Sequence, residues 1–138
     1  MADGKLFRLQ VISPDRIFYD DEVEMVEVRT TEGEMGVLKD HIPLTAIIEP
    51  GILKIHESGG IKEAALLEGF IEVLKDKVTI LAESCEWPEE IDLNRAQEAK
   101  IRAERRLKGA EGEINEVRAE MALRRALTRL TLAQKRGM

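Results

Sequence analysis

Residues 86–106 read Glu86-Trp87-Pro88-Glu89-Glu90-Ile91-Asp92-Leu93-Asn94-Arg95-Ala96-Gln97-Glu98-Ala99-Lys100-Ile101-Arg102-Ala103-Glu104-Arg105-Arg106, and the chain changes character inside them. Before this stretch the apolar residues recur every second position. After it they recur every third and fourth. Asp92 has the side chain to cap a first helical turn, and Ala96, Ala99, Ala103, Leu107 and Ala110 follow at helical spacing. Gly109 and Gly112 interrupt the pattern, and a second helix carries Ile114, Val117, Met121, Leu127 and Leu130 to about Gln134. Each helix spans about 15–20 residues, or about 22–30 Å. So short a connection predicts an antiparallel helical hairpin.

Working back from Glu86, the first part reads as short strands. Phe7, Leu9 and Val11 alternate with Arg8 and Gln10, and Ser13-Pro14-Asp15 ends that run. Ile17–Tyr19, Val23–Val28 and Met35–Leu38 are further extended candidates, with a turn at Thr31-Glu32-Gly33-Glu34. Pro43, unable to donate to a ladder, marks a corner over residues 39–44. Thr45–Ile48, Ile52–His56, Ile61–Leu67, Gly69–Leu74 and Val78–Ala82 follow, with Ser58-Gly59-Gly60 and Lys75-Asp76-Lys77 as hairpin turns. Roughly nine or ten strands with regular turns predict an antiparallel sandwich or flattened barrel. The expectation is an α+β chain: a β-sandwich over residues 1–86 and a two-helix hairpin over 87–138.

Charge divides at the same place. Residues 92–138 hold 12 of the 21 Lys and Arg but 7 of the 27 Asp and Glu, a net +5 against −11 for residues 1–91. The acidic half argues against nucleic acid as its target, because phosphate repels it. The basic half has three possible targets on composition: nucleic acid, an acidic protein surface or a nucleotide phosphate. Arg95, Arg102 and Arg106 share one helical face, and Arg118, Arg125, Arg129 and Arg136 share another. Two readings stay open: facing stripes that form an anion cleft, or solvated faces in which Glu98 and Glu116 supply ordinary i,i+4 partners.

The helices are rich in alanine, which has one methyl to bury where a leucine gives roughly 1.5–3 kcal/mol. The hairpin should therefore grip weakly and be released easily. Catalysis finds little support. The single Cys85 has no partner for a disulfide or a metal site, and His41 and His56 lack the spacing of metal ligands or of a nucleophile and its base. No apolar run approaches 18 residues and no basic-then-apolar amino terminus is present, so the expectation is a soluble, cytoplasmic chain that meets a membrane only through a partner.

The whole chain resembles the epsilon subunit of bacterial F-type ATP synthase. The resemblance rests on Gly33-Glu34-Met35-Gly36-Val37-Leu38, His41-Ile42-Pro43-Leu44 and Pro50-Gly51, together with Ile91-Asp92-Leu93-Asn94-Arg95-Ala96. Asp40 stands where that family often has glycine, and aspartate tolerates a left-handed turn. The resemblance implies a rotor subunit of the central stalk: a sandwich docked on the gamma subunit and resting on the c-ring, peripheral at the cytoplasmic face of the cell membrane. It implies that the hairpin either folds against the sandwich or extends into the catalytic head and blocks ATP hydrolysis. In the extended state the basic helices would pair with an acidic segment of the catalytic beta subunits. Similarity to the Bacillus-like branch implies ATP as a regulatory ligand, not hydrolysed and with no metal demanded by the sequence. The implied site is Glu86, Ile91, Asp92, Arg95, Ala96, Arg102, Arg125 and Arg129, with Arg118 on the same face. In that site Asp92 would accept from the adenine amino group, Ile91 and Ala96 would give apolar contact, and the arginines would hold phosphates. The implied protein is not an enzyme. Other readings are a free-standing nucleotide sensor and a purely structural coupling subunit without regulation.

Overall fold

The structure, a computed structural model, describes residues 5–136, the side chain of Arg136 excepted. That arginine of the second stripe thus lies outside the described side chains. The strands are β1 (Phe7–Ser13), β2 (Arg16–Val23), β3 (Met25–Thr30), β4 (Gly33–Leu38), β5 (Leu44–Ile48), β6 (Gly51–Glu57), β7 (Gly60–Val73) and β8 (Lys77–Glu86). A 3-10 turn over Pro88–Glu90 leads to α1 (Leu93–Lys108) and α2 (Glu113–Arg136).

Among the described residues there are eight strands where the sequence predicts nine or ten. The main reason is β7, 14 residues long, which unites the expected strands 61–67 and 69–74. Its pairing with β8 shifts register around Glu68 and Gly69, so the strand bends there and continues instead of turning back. Gly69 is required at the bend because a Cβ on it would lie 2.3 Å from the Leu81 carbonyl oxygen. The two halves of β7 then serve different neighbours: residues 60–66 pair with β6 and residues 69–73 with β5. All pairings are antiparallel except β1 with β8, which run side by side in parallel.

Between the layers lie Leu9, Val11, Val26, Val28, Leu53, Ile55, Ile71 and Ile80, all fully buried. These are the inward members of the alternating strands, and they supply the core that a chain poor in aromatics needs. The corner before β5 behaves as the sequence implies: Asp40 adopts φ 65° and its N–H donates to the Lys75 carbonyl at 3.1 Å.

Four consecutive residues of β7, Ala64–Leu67, are buried, because Ala64 and Leu66 face the sandwich core while Ala65 and Leu67 lie beneath the hairpin. The helix that covers them is α2, which packs on β6, β7 and the 3-10 turn, while α1 rests mainly on α2. α2 therefore has two buried faces. Ala119, Ala126 and Leu130 are buried with Ala96 and Ala103 of α1 available to face them, and Leu132 joins Ala65, Leu67, Ile52 and Ile91 in a separate small core. The apolar line that marks this helix in the sequence is not, as a whole, its buried face. Ile114 and Val117 are 71% and 52% exposed, and Leu127 is also exposed. They belong to stretches of α2 that overhang the sandwich or face away from both neighbours, whereas the small alanines allow the helices to approach closely.

Candidate functional site

Where β8 ends and the helices begin, a cleft of about 240 Å³ is lined by Glu86, Glu90, Asp92, Arg95, Ala96, Ala99, Arg102 and Arg129. Its walls come from four separate segments: the end of β8, the 3-10 turn, the start of α1 and the last third of α2. Asp92 is the N-cap of α1, its Oδ1 accepting from the Arg95 N–H at 3.1 Å. That bond sets the direction in which α1 leaves the cleft and places Arg95, Ala96, Ala99 and Arg102 along its rim, three and four residues apart.

Six of the nine residues expected from the sequence line this cleft: Glu86, Asp92, Arg95, Ala96, Arg102 and Arg129. The other three lie elsewhere. Ile91 turns into the small core with Ala65, Leu67 and Leu132, because a large aliphatic side chain at this junction gains more from that contact than from a polar cleft. Arg125 is held by Glu68, its Nη1 donating to Oε1 at 2.9 Å. Arg118 lines a different cleft at the loop end of the hairpin, with Arg106, Gly109 and Asn115. It shares a helical face with Arg125, yet lies about 10 Å along the axis at 1.5 Å per residue. Glu90 and Ala99 line the cleft without having been read as site residues. Ala99 was legible, one turn on from Ala96, and Glu90 was hidden because its role depends on a contact with β2.

The donor set suits a nucleotide: a carboxylate acceptor at Asp92, two apolar surfaces at Ala96 and Ala99, and three guanidinium groups. Among the described residues, Arg95 and Arg102 take part in no salt bridge. The i,i+4 partner that Glu98 offers Arg102 is not used, and Glu116 has Gly112 and Glu120, not an arginine, four residues away. Arg129, by contrast, is closed on Glu86, with Nε donating to Oε1 at 2.8 Å and Nη2 to Oε2 at 3.3 Å. Ligand pockets usually reach about 300–1,000 Å³. At about 240 Å³ the cleft is below that range while Arg129 is closed on Glu86.

Four ion pairs fasten α2 to the sandwich: Arg124–Glu49 at 3.1 Å, Arg125–Glu68 at 2.9 Å, Arg129–Glu86 at 2.8 Å and Lys135–Glu63 at 2.9 Å. The opposite charge of the two halves is realised in these contacts. Partly exposed pairs of this kind contribute about 0.2–1 kcal/mol each. Among the described residues no group of three or more His, Cys, Asp or Glu could hold a metal, and no helix is long and apolar enough to cross a membrane.

A second surface lies on the outer face of the sheet. Ile47 of β5 pairs with Phe70 of β7, Phe70 with Leu81 of β8, Leu81 with Ile12 of β1, and Ile12 with Ile17 of β2. Directly paired residues point to the same face, so these five form one apolar row across five strands. Ile47, Phe70, Leu81 and Ile17 are all exposed. Contiguous exposed apolar surface of this kind is characteristic of interaction sites.

Comparison with known proteins covers both parts of the chain. Residues 6–88 match the family described as ATP synthase, Delta/Epsilon chain, beta-sandwich domain, and residues 89–134 match its long alpha-helix domain. The ATP synthase epsilon chain of Caldanaerobacter subterraneus subsp. tengcongensis is 51% identical over 132 residues, which cover 95% of this chain and 96% of that one. That of Bacillus cytotoxicus is 43% identical over 129 residues, covering 94% and 97%. A solved structure of the Euglena gracilis mitochondrial ATP synthase, comprising OSCP, F1 and c-ring, contains a chain similar to this one at a TM-score of 0.80 and 27% identity. The match covers 97% of this chain and 86% of that one.

Proposed function

The chain belongs to the ATP synthase delta/epsilon family, as a central-stalk subunit that is not itself catalytic, and from that premise we propose that its hairpin is a nucleotide-dependent brake on ATP hydrolysis. In the folded state the hairpin lies on the sandwich. In the extended state the basic helices enter the catalytic head and pair with an acidic segment of the beta subunits. ATP binds the folded state and favours it, without being hydrolysed.

One observation carries this reading: the candidate cleft is assembled from β8, the 3-10 turn, α1 and α2, so it exists only while the hairpin is folded. A ligand held there stabilises that state alone. Asp92 would accept from the adenine amino group, Ala96 and Ala99 would flank the base, and Arg95, Arg102 and Arg129 would hold phosphate oxygens. Arg125 joins them if it exchanges Glu68 for phosphate. At ten times its dissociation constant the ligand adds about 1.4 kcal/mol to the folded state. The four ion pairs together contribute on the order of 1–4 kcal/mol. The two are comparable, as a switch requires.

The sandwich attaches to the stalk. We assign the apolar row Ile47–Phe70–Leu81–Ile12–Ile17 to the gamma subunit, with the c-ring as the further rotor contact. The subunit is then peripheral at the cytoplasmic face of the membrane, which it reaches through the complex.

Titrating ATP into the isolated chain tests the ligand. Perturbation between Glu86 and Arg129 that is lost in Arg102→Ala supports the site, and no perturbation there removes it. Deleting residues 92–138 tests the brake: ATP hydrolysis by the reconstituted head should rise, and an unchanged rate rejects inhibition. Phe70→Asp should abolish copurification with gamma, and intact copurification rejects the assigned face.

A further inference from the structure

The 3-10 turn at Pro88–Glu90 links sandwich to hairpin; α2 packs on it, but its side-chain hydrogen bonds and the ring stacking of the adjoining Trp87 run to the sandwich. The Trp87 ring stacks on Phe18, centroids 4.3 Å apart and 22° between planes, with Tyr19 edge-on at 6.4 Å. Arg16 of β2 grips Glu90 with two bonds: Nη1 donates to Oε2 and Nη2 to Oε1, both at 2.8 Å. The same guanidinium donates to the Cys85 carbonyl at 3.3 Å and lies 4.9 Å above the Phe18 ring. Glu90 Oε1 also accepts the Trp87 N–H at 2.8 Å. One carboxylate thus closes the turn on itself and fastens it to β2. The planar fork of arginine gives such a pair directional specificity that a single contact lacks.

Beyond Glu90 the ties change. Ile91 and Asp92 are extended, at φ −81°, ψ 125° and φ −85°, ψ 105°. The Ile91 side chain shares its small core with Leu132 of α2, so that contact is weakened whenever α2 departs. Asp92 bonds forward into α1.

We propose that the Arg16–Glu90 pair holds the 3-10 turn on the sandwich in both hairpin states, so that the moving unit begins at Ile91 and pivots on Ile91–Asp92. Arg16 is then a positioning residue: it touches no ligand and acts through Glu90, which lines the cleft. The pivot divides the candidate site. Glu86 and Glu90 stay with the body, while Asp92, Arg95, Ala96 and Arg102 travel with α1. This proposal rests on the reading of the hairpin as a detachable element.

Residue-resolved amide exchange on the full chain tests it, in two arms. Three amides report on the turn: Trp87 N–H on Glu90 Oε1, Glu90 N–H on the Trp87 carbonyl and Ile91 N–H on the Pro88 carbonyl. In Arg16→Gln they should exchange about tenfold faster or more, while β1 and β8 amides keep their protection. The swap Arg16→Glu with Glu90→Arg should restore part of that protection at the amides of positions 90 and 91, whose acceptors are backbone carbonyls, but not at Trp87, whose N–H loses its carboxylate acceptor. Unchanged protection in Arg16→Gln overturns the clamp.

The second arm releases the hairpin with Leu132→Asp and Arg124→Glu. Release is read as a longer distance between spin labels at Glu32→Cys and Glu104→Cys. A longer distance with the Trp87 and Glu90 amides still protected is the expected result. A longer distance with those amides exposed places the pivot before Trp87 and overturns the proposal alone. An unchanged distance rejects the detachable hairpin itself, and the pivot with it.

Discussion

Arg129 of α2 and Glu86 of β8 stand 2.8 Å apart across the mouth of the cleft, in a two-bond pair that joins the hairpin to the sandwich. The pair has two consequences. It helps dock the hairpin, and under the proposed ATP site it would compete with phosphate for the same guanidinium. Arg129→Ala should therefore weaken ATP binding by about tenfold to a hundredfold, since a hydrogen bond to a charged group is worth about 1.5–3 kcal/mol. Isothermal titration of the variant checks this, and an unchanged affinity removes Arg129 from the phosphate site.

Docking should depend on salt. The ion pairs of Arg124, Arg125, Arg129 and Lys135 are partly exposed, and screening shortens from about 10 Å at 0.1 M salt to about 3 Å at 1 M. Raising sodium chloride across that range should lengthen the distance between labels on the hairpin and the sandwich. A distance indifferent to salt would mean that apolar contact alone holds the helices down.

Leu132 is the apolar anchor of α2, fully buried against Ala65 and Leu67. Leu132→Ala should weaken docking by about 2 kcal/mol or more. Ile114→Ala, on the overhanging part of the same helix, should change it by less than about 0.5 kcal/mol. Label distances over a denaturant series compare the two, and equal effects would contradict the two-faced packing of α2.

Acid should loosen the 3-10 turn. The hydrogen bond from Arg16, with help from the Trp87 N–H, lowers the Glu90 carboxyl below its ordinary value of 4.5 despite partial burial. A lowered folded-state pKa contributes stability above the unfolded value, and that contribution is lost as pH falls through the folded value. Glu90→Gln should thus be less stable than the parent chain at pH 7. The difference in urea midpoint should shrink as pH falls below 4.5, and a difference that stays constant with falling pH refutes a charge-assisted clamp.

Cys85 reports on the same junction. Burial pushes its thiol up to about 12, partly offset by the neighbouring Arg16. A raised folded-state pKa favours the fold below the unfolded value and loses that contribution as pH rises toward the folded one. At pH 8, alkylation should be on the order of a thousandfold slower in the native chain than in urea, because the thiolate is the nucleophile. Rapid native labelling would show that the end of β8 opens easily.

Much of this architecture was legible in the residues. Alternation marked the strands, glycine-containing turns marked most hairpins, and Asp92 was identifiable as a cap because that role is satisfied within four residues of chain. Six cleft residues were implied by the family resemblance; five of them, Glu86 to Arg102, lie in one continuous stretch of chain, whereas Arg129 reaches the cleft only because α2 folds back. What the sequence left open lay wherever a residue had two possible neighbours. Ile114, Val117 and Leu127 mark the helix by their spacing but stay exposed, whereas Ala119 and Ala126 are buried where two helices approach closely. Ile91 packs with Leu132, a neighbour 41 positions away that local pattern does not reveal. Ala64-Ala65-Leu66-Leu67 carried an unread signal, an apolar run in an otherwise alternating strand, which marks the patch the hairpin covers.

By itself the sequence determined the class of each segment, the place where strands give way to helices, the charge opposition and the cap at Asp92. All of these are set by local periodicity or composition. Only the tertiary structure decided which face of α2 meets the sandwich, which carboxylate each arginine takes, and that Glu90 is held by Arg16 from 74 positions away. Those choices depend on long-range distances, and an exposed charge has many partners of nearly equal energy until the fold brings one within 3 Å.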